Sequence, residues 1–417
     1  MASSESNEPR KGSLIIIFLT VFIDLLGFGM VIPLLPIYSD HFTVDETGLV
    51  LGLLMASFSA MQFVFSPLWG RLSDRIGRRP VLIIGLTGSV VFYTLFGLAS
   101  VMRSLVLLFV ARIGAGIAGA TISTAQAYIA DSTTLEKRPK GMALIGMAFG
   151  MGFTFGPLFG FLAVPSQGGE PGPWPGYAAA ILSAIALGLT LFRLPESLRP
   201  GSGSAEHSGF SWSAWQTAIQ VPSIGLVLLS MFVCIFSFAN FETTLSLLIK
   251  GSRHAEKTLF EFSWGGVCLT FAFIGLTLSI VQGGIVRRLA GRFHEGYLAA
   301  TGALIECAGF GLTVLAVEYV SVSLLFAALT AVVTGFAFMQ PNLQSLLSRR
   351  SDPDKQGLVL GLGQSVSSLA RILGAVISIP LFRRGAQVPY ITAAILMAAG
   401  LILVLIASRS GKDWKKE

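Results

Sequence analysis

The chain has 417 residues, of which 53% are hydrophobic and only 12% are charged. Soluble domains have roughly a quarter of their residues charged, so this composition excludes an ordinary water-soluble protein and predicts a membrane protein. The net charge of +7 is placed so that it indicates membrane orientation rather than nucleic-acid binding.

Twelve apolar runs follow one another along the chain. They span about residues 13–37, 46–69, 80–101, 103–129, 139–164, 177–195, 222–249, 263–284, 295–316, 320–347, 357–381 and 387–408. The hydrocarbon core of a bilayer is about 30 Å thick and needs about 20 apolar residues per helix, because each backbone amide must be satisfied within its segment. The first run follows a polar start and is too long for a signal peptide. The runs therefore predict an all-α membrane protein with twelve transmembrane helices.

Lysine and arginine are concentrated on one set of alternating loops. If the N-terminus is cytoplasmic, the cytoplasmic loops and tails hold 21 of the 29 Lys and Arg residues, and the other face holds six. This is the positive-inside pattern, which predicts that both termini are cytoplasmic. Arg112 and Arg371 remain within spans.

Two sequence echoes indicate a tandem repeat. GRLSDRIGRR at 70–79 is echoed by GGIVRRLAGRF at 283–293, and KGMALIG at 140–146 by QGLVLGL at 356–362. The offsets of 213 and 216 residues agree closely and are about half the chain length. Parallel six-helix repeats are a recurrent transporter architecture, with a binding site between the repeats near the middle of the membrane.

A Gly-, Ser- and Pro-rich segment at mid-chain reads as a linker. We therefore expect an N-terminal six-helix half over 1–195, a cytoplasmic linker over 196–212 and a C-terminal six-helix half over 213–417. Two such halves already make a complete cavity, so a monomer suffices.

Four segments stand at comparable places in a known family. They are DLLGFGMVIPLLP (24–36), GRLSDRIGRRPVL (70–82), FVARIGAGIAGA (109–120) and GMGFTFGPLFG (150–160). They resemble signatures of the major facilitator superfamily, and over most of the chain its drug/proton antiporter branch, which includes tetracycline efflux proteins. The resemblance implies two pseudo-symmetric halves that work by alternating access. It also implies export of a small amphipathic compound in exchange for protons across the inner (plasma) membrane.

Three carboxylates lie well within the predicted spans. Such groups are expensive in a membrane and are candidates to bind and release a coupling proton. Asp24 matches the helix 1 aspartate of tetracycline exporters, and Glu306 falls where those proteins have a helix 9 aspartate. Glu242 lies on helix 7, which borders the central cavity in this superfamily. A carboxylate bonded to a neighbouring helix for stability would look the same in the sequence.

Five further polar residues in the spans are candidates for the cavity or the substrate site. They are Gln62, Arg112, Asn240, Gln340 and Gln364. The resemblance places Arg112 in the helix 4 signature, where it would bias the protonation of nearby carboxylates; snorkelling to the interface is the alternative. Each amide could equally form an interhelical hydrogen bond. Phe92 and Leu278 stand where tetracycline exporters have an aspartate and a histidine, which argues against tetracycline itself as the substrate.

The loop between helices 2 and 3 is the candidate cytoplasmic gate. Its motif residues are Gly70, Asp74, Arg75, Gly77, Arg78 and Arg79, with Asp131 at the end of helix 4 as a partner for the arginines. The arginines anchor the loop in the cytoplasm. The resemblance implies that Asp74 pairs across the halves and closes the cytoplasmic side. Arg287 replaces this acid in the second copy.

Helix 5 carries a stripe of small residues. Gly152, Gly156 and Gly160 recur every four residues and allow close approach of another helix, and Pro157 is expected to bend the helix. The stripe fits both ordinary close packing and the antiporter signature.

Enzyme and metal signatures are not found in the sequence, and without a Walker motif the energy source is expected to be a proton gradient, with no cofactor. The expected partners are therefore a small-molecule substrate, protons and the lipid bilayer. A transporter of a metabolite, sugar or lipid is the nearest alternative function, and a non-transporting receptor or scaffold is a more distant one.

Overall fold

The computed structural model describes residues 11–31, 33–35, 49–133, 138–163, 172–197, 222–250, 259–289, 292–350 and 356–410. The first half contains α1 (Lys11–Val31), α2 (Leu49–Ile76), α3 (Arg78–Met102), α4a (Leu105–Gly119), α4b (Ile122–Asp131), α5 (Arg138–Ala163) and α6 (Trp174–Arg193). The second contains α7 (Pro222–Lys250), α8 (Trp264–Ile280), α9 (Glu295–Glu318), α10 (Val322–Arg350), α11 (Gln356–Arg384) and α12 (Val388–Arg409). The predicted all-α fold is confirmed. Most of the predicted linker, residues 198–212, lies outside the described residues.

Two helices are irregular near the same side of the membrane. Between α4a and α4b, the backbone N–H groups of Ala120 and Thr121 donate to carbonyls three residues earlier, which tightens the turn. α8 continues into a π-helical turn, Val281–Val286, and then a short helical turn, Arg287–Leu289. Both interruptions lie toward the ends predicted to be cytoplasmic.

The outer surface of the bundle is apolar. Phe192, Leu162 and Val106 are 84%, 76% and 73% exposed, which suits a lipid environment and not water. Within the described residues, eleven helices are long and apolar enough to cross a membrane, and α5 contributes a shorter apolar stretch, Met147–Ala163. The chain is therefore a multi-pass membrane protein.

The helix contacts of the first half recur six helices later. α1 packs on α5 and α6, and α3 packs on α4a and α6; likewise α7 packs on α11 and α12, and α9 packs on α10 and α12. Among the described helices, the halves meet mainly through two pairs, α2 with α11 and α5 with α8, which exchange under the same repeat. The two halves are therefore pseudo-symmetric in their packing.

We call the side of the bilayer with the α2–α3 turn the basic side, and the other the far side. Near the far side, a Cβ added to Gly52 of α2 would lie 2.7 Å from the carbonyl oxygen of Ala375 on α11. Nearer the middle, the hydroxyls of Thr154 on α5 and Ser279 on α8 lie 3.1 Å apart. These contacts between the halves lie in the middle and far side of the membrane.

Candidate functional site

Asp24 lies on α1 with its carboxyl group toward α3 and α6. Ser183 Oγ on α6 donates a hydrogen bond of 2.9 Å to Asp24 Oδ1, and Ser89 on α3 also hydrogen-bonds to this carboxyl group. One turn toward the basic side, the hydroxyls of Thr20 and Thr190 lie 3.3 Å apart. Asp24 is half-buried. Its hydrogen-bond partners are therefore neutral hydroxyl groups on two neighbouring helices.

Arg112 on α4a lies inside the first half. Its guanidinium is 4.6 Å from the centroid of the Phe58 ring on α2, and the residue is 4% exposed. Its Nε atom has no hydrogen-bond partner among the described residues. A desolvated cation–π contact contributes about 2 kcal/mol and offsets part of the cost of burial. Tyr93 on α3 lies within electrostatic range of both Asp24 and Arg112.

The polar partners of Asp24 on α3 come from one helix face. Ser89 and Tyr93 are four residues apart and therefore adjacent on the helix surface. Phe92 faces α4a instead, where a Cβ at Gly114 would overlap its ring. Sequence reasoning missed Ser89, Tyr93 and Ser183. The available signal was the four-residue spacing of polar groups in an otherwise apolar span.

Glu306 on α9 has a different environment. It is 0% exposed, and neither carboxyl oxygen has a hydrogen-bond partner in the described part of the chain. α10 comes so close that a Cβ at Gly335 would lie 2.5 Å from the Glu306 Cβ. Cys234 of α7 and the adjacent Cys307 also lie within electrostatic range. Because an isolated ionised carboxylate is very costly in an apolar interior, this site suits the neutral acid.

Glu242 on α7 is half-buried and lies within electrostatic range of Arg371 on α11. Among the described residues, neither side chain forms an ion pair or hydrogen bond. The three candidate carboxylates therefore lie in three separate places, and the structure does not bring them together.

The candidate amides also occupy different environments. Gln62 Nε2 on α2 donates to the Gly119 carbonyl on α4a at 3.4 Å. Asn240 is fully buried, and its Nδ2 donates to the Phe236 carbonyl of its own helix at 2.8 Å. Gln340 is half-buried and Gln364 is exposed. A cavity role for these four residues stays a prediction.

The turn between α2 and α3 is built around Gly77, whose φ is 106°, a conformation that glycine adopts readily. The backbone N–H groups of Arg78 and Arg79 donate to Glu196 Oε1 and Oε2 at 2.9 and 3.1 Å. A Cβ at Gly77 would lie 2.5 Å from Glu196 Oε2. Glycine therefore leaves space for a carboxylate at the positive end of α3. Sequence reasoning did not single out Glu196.

Arg78 joins three helix ends on the basic side. Its Nε lies 3.0 Å from Asp131 Oδ2 at the end of α4b, and its Nη1 donates to Ser73 Oγ near the end of α2 at 2.6 Å. The Arg78 side chain is only 9% exposed. Asp131, expected as a partner for the arginines, therefore pairs within its own half.

The other gate residues make fewer contacts. Arg79 Nη2 donates to the Leu191 carbonyl of α6 at 2.6 Å, and Arg75 is exposed. A Cβ at Gly70 would meet no atom within 4 Å. The side chain of Asp74 lies outside the described residues, so the latch stays a prediction.

The glycine stripe of α5 lies against α1. A Cβ at Gly29 would be 2.6 Å from the Gly152 carbonyl oxygen, and one at Gly156 would be 2.7 Å from the Gly29 carbonyl carbon. Gly160 instead lies near Met30 of α1 and Cys268 of α8. The stripe therefore permits close packing of α1 and α5, and α5 is assigned as one helix through Pro157.

The second half has an ion pair at the corresponding helix ends. Arg349 Nη1 at the end of α10 lies 2.6 Å from Glu295 Oε1 at the start of α9. The Arg349 side chain is 47% exposed.

With this geometry established, similarity to known proteins identifies the family. The family model described as Major Facilitator Superfamily matches residues 17–375. The class C tetracycline resistance protein of Escherichia coli is 30% identical over 408 residues, which cover 96% of this chain and 97% of that protein. Multidrug resistance protein 1 of Bacillus subtilis is 27% identical over 404 residues, covering 95% of this chain and 97% of that protein.

A solved structure gives the same result. The crystal structure of the human organic anion transporter MFSD10 (TETRAN) matches with a TM-score of 0.73 and 27% sequence identity, covering 95% of this chain and 99% of that chain. Because the family match and these relatives extend over nearly the whole helical bundle, the chain belongs to the Major Facilitator Superfamily and is a membrane transporter, not an enzyme.

Proposed function

We propose that this protein is a secondary active transporter that exports a small amphipathic compound in exchange for protons across the inner (plasma) membrane. The tetracycline and multidrug resistance relatives support the cargo class and the direction of transport. The bacterial origin of these relatives supports the membrane assigned here.

The observation that carries the proposal is the environment of Asp24. Its carboxyl group lies within a membrane span, is half-buried, and is hydrogen-bonded to Ser183 and Ser89 and not to a cation. Hydroxyl groups can donate to the ionised carboxylate and accept from the neutral acid, so they serve both protonation states. Asp24 is therefore the best-placed of the three carboxylates to carry the coupling proton.

Glu306 and Glu242 fit this role less well. Glu306 is sealed from solvent without a hydrogen-bond partner in the described chain, so it has no path for proton exchange in this conformation. Glu242 lies within electrostatic range of a cationic residue, Arg371, whereas the hydrogen-bond partners of Asp24 are neutral hydroxyl groups. We assign proton transfer to Asp24 and other roles to these two glutamates.

Transport would follow from rocking of the two halves about their shared contacts. In the described helices, α5 meets α8 and α2 meets α11 toward the far side, as at Gly52 and Ala375. Separating these pairs while closing the basic side would expose the centre alternately. Proton and substrate must favour different conformations or compete for one carboxyl group, since without differential binding no exchange is driven.

Proteoliposomes with an imposed pH gradient test this assignment. Tetracycline, ethidium and rhodamine 6G serve as probes, each measured in pH-driven uptake and in counterflow without a gradient. Asp24→Asn should reduce pH-driven transport to the level of empty vesicles but keep counterflow. Ser183→Ala, which keeps the carboxyl group, should keep coupled transport.

The same measurements distinguish the alternative functions. Undiminished pH-driven transport by Asp24→Asn contradicts the assignment of the proton to Asp24. Flux of polar metabolites without flux of the dyes identifies a metabolite carrier instead, and probe binding without any flux identifies a receptor.

A further inference from the structure

The charged pair of the second half, Glu242 on α7 and Arg371 on α11, is not explained by the fold or by proton transfer. Both residues lie within the candidate spans Ile224–Lys250 and Leu362–Arg384. Charged side chains inside a membrane are costly unless they are paired or face a polar cavity. Within the described chain these two attract each other electrostatically but form no ion pair or hydrogen bond.

Both charged groups are accessible. The two residues are half-buried, and none of their polar atoms belongs to the sealed, unpaired atoms of the described residues. They are thus two opposite charges that are neither paired with each other nor fully buried, in contrast to the sealed carboxyl group of Glu306.

Neighbouring contacts show which faces carry the two charges. A Cβ added at Gly374, one turn after Arg371, would meet the Cβ of Ala239, one turn before Glu242. The Phe238 and Phe336 rings stack with centroids 4.1 Å apart, which places the adjoining face of α7 against α10. Glu242 is four residues after Phe238, so it shares that face.

Arg371 belongs to a stripe of α11 that faces α7 and α10. Gly363, two turns earlier on the same stripe, lies near Leu347 of α10 and Met231 of α7. Because α7 and α11 run in the same direction, the Ala239–Gly374 contact places Glu242 and Arg371 about 9 Å apart along the helix axes. Their long side chains can both reach a ligand held between them.

This position adjoins the contact between the halves. Ala375, the residue after Gly374, lies against Gly52 of α2 in the first half. A rocking motion that changes the α2–α11 contact would therefore change access to Arg371. A ligand at this place lies where alternating access requires it.

We propose that Glu242 and Arg371 form a binding site for an amphipathic zwitterion, with the ligand carboxylate on Arg371 and the ligand ammonium on Glu242. Charge-assisted hydrogen bonds at both ends satisfy both intramembrane charges. A cation alone leaves Arg371 unpaired, and an anion alone leaves Glu242 unpaired. This proposal names the substrate class of the transport function proposed above and rests on that function, but its test measures binding.

Three matched dansyl probes test the proposal. Nε-dansyl-lysine is a zwitterion, dansylcadaverine lacks its carboxylate, and dansyl-6-aminohexanoic acid lacks its ammonium group. Fluorescence anisotropy with the purified full-length protein in nanodiscs should show at least tenfold tighter binding of the zwitterion than of either singly charged probe. Equal affinity for the three probes, absence of binding, or a preference for a singly charged probe would overturn the proposal.

Variants assign each charge to its part of the ligand. Arg371→Gln should lower zwitterion affinity to that of the cation, and Glu242→Gln should lower it to that of the anion. Arg371→Lys should keep the preference if the glutamine variant does not fold, and Ile377→Val, at an exposed residue of the same helix, should change nothing. An unchanged zwitterion preference in both glutamine variants contradicts the assignment.

The binding result also separates this proposal from the proposed function. In one outcome, the zwitterion preference and its dependence on both charges are found while no probe shows pH-driven transport. That result supports the binding site and contradicts proton-coupled export. If coupled transport is found without the preference, export stands and the zwitterion site fails.

Discussion

The basic-side ends of the two halves use the same helix pair with opposite charges. In the first half, a base at the start of α3, Arg78, pairs with an acid at the end of α4b, Asp131. In the second, an acid at the start of α9, Glu295, pairs with a base at the end of α10, Arg349. The ion pair therefore lies at equivalent positions in the two halves, with the acidic and basic residues exchanged.

Burial also differs between the two pairs. Arg78 is 9% exposed and also donates to Ser73, whereas Arg349 is 47% exposed. In the first half, Glu196 additionally accepts the first backbone N–H groups of α3. Apolar helix contacts are shared by both halves and set the architecture. Arg350 at the end of α10 is also buried and donates to the Ala407 carbonyl at the end of α12, so the two ends differ in the burial of their ion pairs. We expect the two ends to differ in stability accordingly.

Arg78→Ala should give the largest loss of stability. It removes a largely buried cation that pairs with Asp131 and hydrogen-bonds to Ser73. Because Asp131 itself is exposed, we expect a loss between those of a surface pair and a buried pair, about 2 kcal/mol. The midpoint of thermal unfolding in detergent, followed by tryptophan fluorescence, measures the effect. Arg75→Ala, at an exposed arginine of the same motif, is the control. A midpoint equal to that of the control would contradict a structural role for the pair.

The helices of both halves could be predicted from the sequence because a bilayer imposes a length and a composition on each span separately. The predicted run at 222–249 matches α7 at Pro222–Lys250, and the run at 295–316 matches α9 at Glu295–Glu318. The six-helix repeat could also be predicted from the sequence, because the two repeated motifs are local sequence patterns.

The partners of the functional residues could not be predicted in this way. Ser183 reaches Asp24 from 159 positions away, and Glu196 reaches Arg78 from 118 positions away. Such pairs depend on how each helix is rotated about its axis and how deep it lies in the membrane. A span that is apolar on all sides does not determine either of these. The sequence identified Asp24, but only packing shows that hydroxyl groups surround it.

Glu196→Gln should give a smaller loss than Arg78→Ala. Glutamine keeps one acceptor oxygen but loses the charge that stabilises the N-terminus of α3 and one of the two hydrogen bonds, together about 1 kcal/mol. The same unfolding measurement applies. Glu318→Gln is the matched control, because that exposed glutamate hydrogen-bonds to Gln387 at the opposite ends of the spans. Equal midpoints for the two variants would show that the carboxylate cap contributes nothing.

Arg349→Ala should have a still smaller effect. An ion pair with a partner that is 47% exposed is well screened by water, and such pairs contribute about 0.5 kcal/mol or less. The unfolding midpoint should therefore stay close to that of the unmodified protein. The small difference between the two midpoints should disappear in high salt. A decrease in the unfolding midpoint as large as that of Arg78→Ala would contradict the expected difference in stability between the two halves.

Glu306→Gln should have the smallest effect, and it extends the comparison from the helix ends to the carboxylates in the middle of the membrane. Glu306 is sealed and unpaired in the described chain, so a neutral amide of nearly the same shape replaces a neutral acid at little cost. The unfolding midpoint should stay close to that of the unmodified protein, and pH-driven transport in proteoliposomes should stay within twofold of it. Asp24→Asn, in contrast, should lose pH-driven transport. Loss of coupling in Glu306→Gln would show that a proton binds in the second half during transport. Glu306 would then have to become accessible in a conformation that differs from this one.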